Sequence, residues 1–312
     1  MNQRPGCHLG WPAPPRSAGG LGGEADRISA LADDLLLLIL VRLGCAAAAA
    51  RSGLLSRRWH GLWTRLPALV FRDVSLPSLE PALASLISPV SSSDAVCLLD
   101  IHLPRRAFYA CTGEAVSSLL RTAALLSPEQ LVLDLEWGVP PLYSYVELPC
   151  FNRATAISLI AASPILLCRP PDATSEFPAL TTLVLTGCAV DDLAALVLSC
   201  PRLRVLRIVS PGPFFIGMPL HISIHSASLR ELVLDKCHQV RRIDISTPIL
   251  QQLTVSTSPH GDLSNSVLLA PKVDKVSWLT RYRFTTRIIR SRSKITPREK
   301  LRNICNCRWP PS

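Results

Sequence analysis

Apolar residues recur along this chain with two different periods, and the first, a helical period, occupies residues 26–71. Leu35, Leu38 and Ile39 fall on one face of a helix that follows the acidic pair Asp33 and Asp34. Carboxylates at this place can serve as N-cap and first-turn groups, because they accept hydrogen bonds from the free N–H groups of the first turn. We therefore predict a first helix that begins at this acidic pair.

Two further helices are predicted in the same segment, over residues 46–55 and residues 56–63. The earlier one contains a run of five alanines, and in the later one Trp59, Leu62 and Trp63 share a face. Three short helices in about 45 residues are too few to bury their own apolar faces. We therefore expect this unit to need a partner.

Beyond residue 71, strand-like and helix-like stretches alternate. Residues 95–103 and 130–137 have the alternating pattern of a strand, while residues 114–126 place their apolar side chains at helical spacing. Interleaved strands and helices favour a repeating α/β layer over an all-β sandwich.

The repeat becomes explicit in the second half of the chain. Two stretches match the leucine-rich-repeat pattern L-x-x-L-x-L-x-x-C in full, beginning at Leu180 and Leu229, and two match its first six positions, beginning at Leu203 and Leu250. Successive starts are 23, 26 and 21 residues apart, inside the period of about 20–29 residues for such repeats. The fixed apolar positions should point into the core of a solenoid.

Strand side chains alternate, so the positions between the fixed apolar ones should face outward on the concave sheet. Between two strands, residues 191–198 have a helical pattern that Asp191 can cap, and we place this helix on the convex side. The outward positions are Thr182, Val184, Thr186, Val205, Arg207, Val209, Glu231, Val233, Asp235, Gln252, Thr254 and Ser256.

Four short motifs in the helical segment resemble the F-box of plant F-box proteins. They are Asp26-Arg-Ile-Ser-x-Leu31, Asp33-Asp-Leu-Leu36, Leu55-Ser-Arg-Arg-Trp59 and Leu62-Trp63. Together with the repeats that follow, the chain from Asp26 to Ser258 resembles the plant family of F-box proteins with degenerate leucine-rich repeats. One position departs from the family pattern, because this chain has Ala32 where the family usually has proline.

The resemblance implies a non-catalytic adaptor of an SCF-type cullin–RING ubiquitin ligase. The F-box would bind a Skp-type subunit and through it a cullin, while the outward strand positions would hold an unknown target protein for ubiquitin transfer. By the same resemblance, the residues at the adaptor include Leu31, Ala32, Leu35, Ile39, Leu40, Leu55, Trp59 and Trp63, some of which must instead form the core of the helices.

The implied fold is α+β overall, with a three-helix F-box followed by an α/β leucine-rich-repeat solenoid with an irregular, curved parallel sheet. We divide the chain into a Gly/Pro-rich leader at 1–25, the F-box at 26–71, the repeat domain at 72–280 and a basic tail at 281–312.

Charge is concentrated in that tail. The chain has a formal charge of +10, and residues 281–312 hold ten basic residues against one acidic residue. Three interpretations stay open for this segment: a solvated tail without a role, a nuclear localisation signal, or a nucleic-acid contact. The first 280 residues are nearly neutral, whereas a fold that binds nucleic acid has a basic surface. We therefore expect no nucleic-acid contact outside the tail.

The sequence offers little support for catalysis, a metal or a membrane. Its eleven cysteines contain no C-x-x-C pair, and no nucleophile elbow, zinc-protease motif or Walker lysine occurs. His221 and His225 have the spacing of a helical metal pair, but they alternate with isoleucines as on a strand. The apolar runs are too short for the roughly 20 residues of a membrane span. No secretory signal begins the sequence, so we expect reduced thiols, a cytoplasmic or nuclear location and no cofactor.

A second hypothesis stays open beside the ligase adaptor. The chain can instead be a leucine-rich-repeat scaffold that acts outside a ubiquitin ligase, with an F-box weakened at Ala32.

Overall fold

The structure is a computed structural model, and it describes thirteen parts of the chain, separated by gaps. The predicted leader and nearly all of the basic tail lie outside the described residues, as does Leu55. The described residues are 28, 31–54, 56, 58–59, 61–87, 96–104, 112–135, 144–169, 176–210, 220–237, 240–257, 267–279 and 287–288.

A small helical unit precedes the sheet. It consists of α1 (Asp33–Arg42), α2 (Ala46–Ser52) and a 3-10 helix (Leu62–Arg65). The N-cap of α1 is Ala32, which has no capping side chain, and Asp33 and Asp34 lie in the first turn. The prediction of an acidic N-cap was therefore wrong, although both carboxylates remain at the positive end of the helix dipole.

The predicted helix over residues 56–63 is also absent from the described residues of that stretch. Residues 58 and 59 form a turn, and helical geometry begins only at Leu62. Gly61 interrupts the chain between them, because its φ of 81° lies in the left-handed region that a helix cannot include.

One large parallel sheet forms the body of the repeat domain. Each strand pairs in parallel with the next one that follows it on the same side of the solenoid, as the repeat pattern predicts. The sheet begins within the segment assigned to the F-box. In spatial order its strands are β1 (Ala68–Phe71), β2 (Leu98–Leu103), β3 (Gln130–Leu135), β5 (Ala156–Cys168), β6 (Thr182–Val190), β7 (Val205–Val209), β9 (Glu231–Cys237), β11 (Gln252–Thr257) and β13 (Lys275–Leu279), with β4 (Ser144–Glu147) pairing to β5 off this path.

Helices connect the strands in the N-terminal part of this sheet. They are α3 (Leu76–Leu86), α4 (Gly113–Leu125) and α5 (Leu193–Leu198). α4 confirms the predicted helix, and its apolar residues Val116, Leu119 and Leu120 are buried. α5 confirms the predicted position, but its cap is Asp192, whose Oδ1 accepts from the Ala195 N–H at 2.8 Å, and not Asp191.

Strands replace these helices in the C-terminal part. A second parallel sheet contains β8 (Leu220–His225), β10 (Val240–Ser246), β12 (Val267–Leu269) and β14 (Arg287–Ile288). Its last three strands follow β9, β11 and β13 in the chain, so the solenoid there has a sheet on each side. The α/β solenoid was predicted, whereas this second sheet was not.

The fixed apolar positions of the repeat form the core. Leu183, Leu185, Leu232 and Leu234 are fully buried, and Cys188 is 1% exposed. Their burial confirms the inward phase of the pattern. The same cluster extends to the helical unit, so the two parts share one continuous core.

A β-bulge interrupts the middle of the large sheet. The pairing of β5 with β6 shifts after Ile160, and Gly187 on β6 has a φ of 68° opposite this point. A side chain at Gly187 would place its Cβ 1.9 Å from the carbonyl oxygen of Ala161. Only glycine fits this close approach, and a bulge at this place bends the paired strands.

Candidate functional site

Helix α1 has apolar side chains on two of its sides. Leu36 and Leu40 are buried in the core, at 0% and 1% exposure. Leu35, Leu38 and Ile39 instead keep 46%, 61% and 39% of their surface exposed, and we call these three residues the α1 apolar face. A helix with apolar residues on its outer side is typical of a contact with another molecule. Other exposed apolar residues of the helical unit are Ile28, Val41, Leu43 and Leu54.

An ion pair connects two of the sequence motifs in the helical unit. The Nε and Nη2 atoms of Arg58 donate to Oδ1 of Asp33 at 3.0 and 2.8 Å. Trp59, the next residue, is 7% exposed and lies in the core. The pair itself is exposed and therefore contributes about 1 kcal/mol at most. Its effect is to fix the turn at Arg58 against the first turn of α1.

The backbone at Ala32 has the geometry of a proline. Its φ is −65° and its ψ is 152°, which are ordinary values for that residue. The carbonyl of Ala32 accepts from the N–H groups of Leu35 and Leu36, while its own N–H donates to no described residue. The change from the family's proline to alanine therefore removes a restriction from the free chain without altering this hydrogen bonding.

The structure places the predicted adaptor residues at different depths. Leu35 and Ile39 are exposed with Ala32, whereas Leu40 and Trp59 are buried in the core of this chain. Leu31 and Trp63 are partly buried against that core, and Leu55 lies outside the described residues. Leu38, which was not among the predicted adaptor residues, is exposed beside Leu35 and Ile39, as helical spacing requires.

The twelve predicted target-facing positions all lie on the large sheet, between its buried residues. Each of them is exposed or half-buried, so the outward phase agrees with the structure. Strand register aligns them in rows that cross the sheet. In one row Val184 lies beside Arg207, and Arg207 lies beside Val233. In the next, Thr186, Val209 and Asp235 are neighbours.

A charged cluster lies on the same face of the sheet, on strands where no target-facing residue was predicted. His102 on β2 lies 3.3 Å from the carboxylate of Asp100 and 3.2 Å from that of Asp134 on β3. Arg72 also reaches Asp100, at 3.3 Å. The signal was present in the sequence, since each of these acidic residues and the histidine alternate with leucine or isoleucine in a strand-like stretch.

Charged side chains on both sheets form ionic contacts with one another. On the large sheet, Arg207 donates from Nε and Nη2 to one oxygen of Glu231 at 3.1 and 2.6 Å. On the second sheet, Asp244 accepts from Arg242 at 2.7 Å and lies 3.1 Å from His221. Partial burial raises the pKa of Asp244, but these two partners outweigh it and hold the pKa below its usual value.

His221 and His225 lie on strand β8 and face outward, with buried isoleucines between them. This confirms the strand interpretation of the pair. Among the described residues, no group of three or more His, Cys, Asp or Glu side chains could hold a metal ion. None of the helices in the described part of the chain is long and apolar enough to cross a membrane.

Three cysteines, two of them in the repeat pattern, are core residues of the solenoid. Burial raises the pKa of Cys188 and of Cys237 to about 12, and burial raises that of Cys200 to about 11. Such thiols are protonated at neutral pH and are poor nucleophiles. They fill space in the solenoid as small apolar groups.

Comparison with known proteins identifies the family. A family profile described as "FBD-associated F-box protein At5g56370, LRR repeats" matches residues 116–304, which is more than half of the chain. The chain belongs to this family of F-box proteins with leucine-rich repeats. The match includes most of the basic segment that begins at residue 281.

Several Arabidopsis thaliana proteins are similar over most of this chain. "Putative F-box protein At1g67390" is 26% identical over 275 residues, which are 81% of this chain and 54% of that protein. "Putative FBD-associated F-box protein At5g50270" is 28% identical, over 80% of this chain and 56% of that protein. "F-box/FBD/LRR-repeat protein At1g80470" is 26% identical, over 75% and 51%. The chain thus spans about half the length of these curated relatives, and no solved structure matches it.

Proposed function

We propose that this chain is the target-recognition adaptor of an SCF-type cullin–RING ubiquitin ligase. The helical unit would bind a Skp-type subunit and through it a cullin, and the large sheet would bind a target protein. The adaptor role is supported by membership in the F-box family with leucine-rich repeats, whose members are generally non-catalytic adaptors. A cytoplasmic or nuclear location belongs to the same proposal.

The observation that carries the proposal is the α1 apolar face. Three large aliphatic side chains stay between 39% and 61% exposed on a helix whose other side is already buried. Covering a side chain of this size contributes about 1.5–3 kcal/mol. A partner with a complementary apolar groove would therefore gain enough from these residues to form a specific complex.

The ligase role requires no chemistry from this chain. Holding a target lysine near a charged conjugating enzyme raises the effective concentration of the reacting groups, and that is sufficient to accelerate transfer. The rigid, continuous core between the helical unit and the sheet suits this task, because it fixes the distance from the bound target to the ligase.

The experiment is a binding measurement with a purified Skp-type subunit. A double variant, Leu35→Ala with Ile39→Ala, should weaken binding by more than about a hundredfold, since it removes some 3 kcal/mol or more of apolar contact. The control replaces two leucines elsewhere that are even more exposed, Leu125→Ala on α4 with Leu198→Ala on α5, at 69% and 68% against 46% and 39% for Leu35 and Ile39. The control should bind as the unchanged protein does.

Thermal melts of both double variants should show the same stability as the unchanged chain, because all four side chains are exposed. If the α1 variant is folded and still binds the Skp-type subunit with unchanged affinity, the adaptor proposal is wrong at this surface. If the unchanged chain does not bind a Skp-type subunit at all, the scaffold hypothesis replaces it.

A further inference from the structure

One side of helix α1 points directly away from the core of the chain. An α-helix turns about 100° per residue, so Leu38 lies about 160° around the helix from each of the two buried residues, Leu36 and Leu40. Leu38 is also the most exposed apolar residue of α1, at 61%. We call this side the outward face of α1, and it consists of Asp34, Leu35, Leu38, Val41 and Arg42.

The outward face is arranged symmetrically about Leu38. Asp34 and Arg42 lie four residues before and four residues after it, and they have opposite charges. Leu35 and Val41 lie three residues before and after it, and these aliphatic side chains are 46% and 50% exposed. Within the described part of the chain neither Asp34 nor Arg42 forms an ion pair. Both charges are therefore available to a partner.

A second copy of the same helix is complementary to this face when the two helices are antiparallel. A two-fold axis at Leu38 places this leucine against its own counterpart. It also places each residue before Leu38 against the residue that lies equally far after Leu38 in the second copy. Asp34 of each copy then faces Arg42 of the other, and Leu35 faces Val41, so that every contact is either apolar or between opposite charges.

The charges also select this orientation of the two helices. In a parallel pair Asp34 would face Asp34 and Arg42 would face Arg42, and like charges at close range repel each other. Antiparallel helices also place the positive end of each helix dipole beside the negative end of the other. The two copies therefore attract each other in one of the two possible arrangements and repel each other in the other.

The contact is small, so the dimer should be weak. α1 has 10 residues, and the two charged residues at the ends of the outward face are about 12 Å apart along the helix. Stable complexes bury about 1,200–2,000 Å² in total, and a single pair of helices of this length buries less. We therefore expect a dissociation constant of about 10–100 μM.

We propose that α1 pairs with α1 of a second copy of this chain, in antiparallel orientation about a two-fold axis at Leu38. Leu35 and Leu38 belong both to this outward face and to the α1 apolar face. The dimer and a complex with a Skp-type subunit would therefore exclude each other. That competition rests on the proposed function, whereas the dimer itself does not.

The test is sedimentation equilibrium of the full chain alone, at about 5–500 μM, a range that brackets the expected dissociation constant. The unchanged chain should pass from monomer to dimer within this range. Leu38→Glu should abolish the dimer, because two carboxylates would meet at the axis. The matched control is Leu198→Glu, which makes the same change at a leucine of α5 that is 68% exposed, and it should dimerise as the unchanged chain does.

An exchange of charges tests the pairing of individual residues. Asp34→Arg alone and Arg42→Asp alone should each weaken the dimer by about tenfold, because each replaces two attractive charge pairs with two repulsive ones. An equal mixture of these two variants should associate again, since two arginines of one copy then face two aspartates of the other. Thermal melts of each variant should show that it is folded.

The proposal is overturned if the unchanged chain stays monomeric over the whole range. It is also overturned if Leu38→Glu weakens association no more than Leu198→Glu does, or if the mixture of charge variants associates no better than either variant alone. None of these measurements contains a Skp-type subunit, so the dimer can fail while the adaptor role stands. A dimer that forms in a chain unable to bind a Skp-type subunit would support this proposal and reject the adaptor role.

Discussion

At the scale of single residues, Ala32 offers a direct test of the helical unit. Its φ of −65° fits proline and its N–H donates to no described residue, so Ala32→Pro should fit without strain. Proline lowers the conformational entropy of the free chain, which stabilises the ordered state by about 0.4–1 kcal/mol. If this loop becomes ordered on binding, affinity for a Skp-type subunit should rise about two- to fivefold. Isothermal titration with the purified subunit measures the change.

Ala32→Gly is the opposite control, since glycine widens the ensemble of the free chain and should lower the affinity. Weaker binding after Ala32→Pro, with an unchanged melting temperature, would show that the bound loop takes a different backbone path from the free one.

The buried cysteines give a second test at this scale. Because burial raises the pKa of Cys188 and Cys237 to about 12, iodoacetamide at pH 8 should not label them in the native protein. Cys45 is different: burial raises its pKa, but the N–H groups of Ala48, Arg72 and Ala47 outweigh this and leave it lowered. Cys45 should therefore be labelled before Cys188 and Cys237, as read by mass spectrometry of the three peptides.

Urea should make the two repeat cysteines reactive together, since both depend on the same solenoid core. Labelling of Cys237 at the rate of Cys45 in native conditions would contradict its place in that core.

Residue roles that follow from a fixed period could be predicted, and those that follow from contacts between distant strands could not. Leu183 and Leu185 were placed correctly, because an alternating strand leaves each side chain only two directions. The choice between Asp191 and Asp192 as the cap of α5 depends on backbone angles that two adjacent aspartates do not reveal. The pairing of His102 with Asp134 required the register of β2 with β3.

At the scale of elements, Gly187 should be the glycine of the described sheet that tolerates substitution least. Gly187→Ala adds strain at a φ of 68° and drives a Cβ to 1.9 Å from the carbonyl oxygen of Ala161. We expect it to destabilise the fold by about 3 kcal/mol or more, as both a strained backbone and a clash within two paired strands are involved. Thermal melts followed by circular dichroism measure the loss.

Gly61→Ala separates the two causes. Gly61 also has a positive φ, 81°, but nothing lies within 4 Å of a Cβ placed there. It should therefore cost only about 1 kcal/mol. Equal losses for the two variants would mean that β5 and β6 can separate at the bulge without penalty.

The same two features show where element prediction failed. Trp59, Leu62 and Trp63 have helical spacing, yet Gly61 lies between them and prevents a continuous helix. A prediction from apolar periodicity alone ignores this glycine. The alternation of β8 was recognised in the sequence, but β12 and β14 are only 3 and 2 residues long, too short for a period to be recognised, so a second sheet was not predicted. The repeat pattern specifies the concave strand and leaves the return segment free to be a helix or a strand.

At the scale of the whole molecule, stability should depend on contacts between neighbouring repeats. Leu234→Ala would leave a cavity in the middle of the sheet, where the side chain is fully buried, and should cost about 2–5 kcal/mol. Because each repeat is stabilised by its neighbours, we expect the melting temperature of the entire solenoid to fall. Leu198→Ala on the exposed side of α5 is the control and should change it little. If Leu234→Ala leaves the melting temperature unchanged, the assignment of Leu234 to the inward face of β9 is wrong.

The exchange of helices for strands along the back of the solenoid has a consequence for how it can hold a target. A helix with its side chains is about 10 Å across, whereas neighbouring strands lie about 4.8 Å apart. We therefore expect repeats whose return segments are α3 and α4 to be farther apart on that side than repeats whose return segments are β10 and β12. The N-terminal half of the solenoid should then be strongly curved and the C-terminal half nearly straight. A protruding loop of a target would fit the curved half, while a flat surface would lie along the straight half.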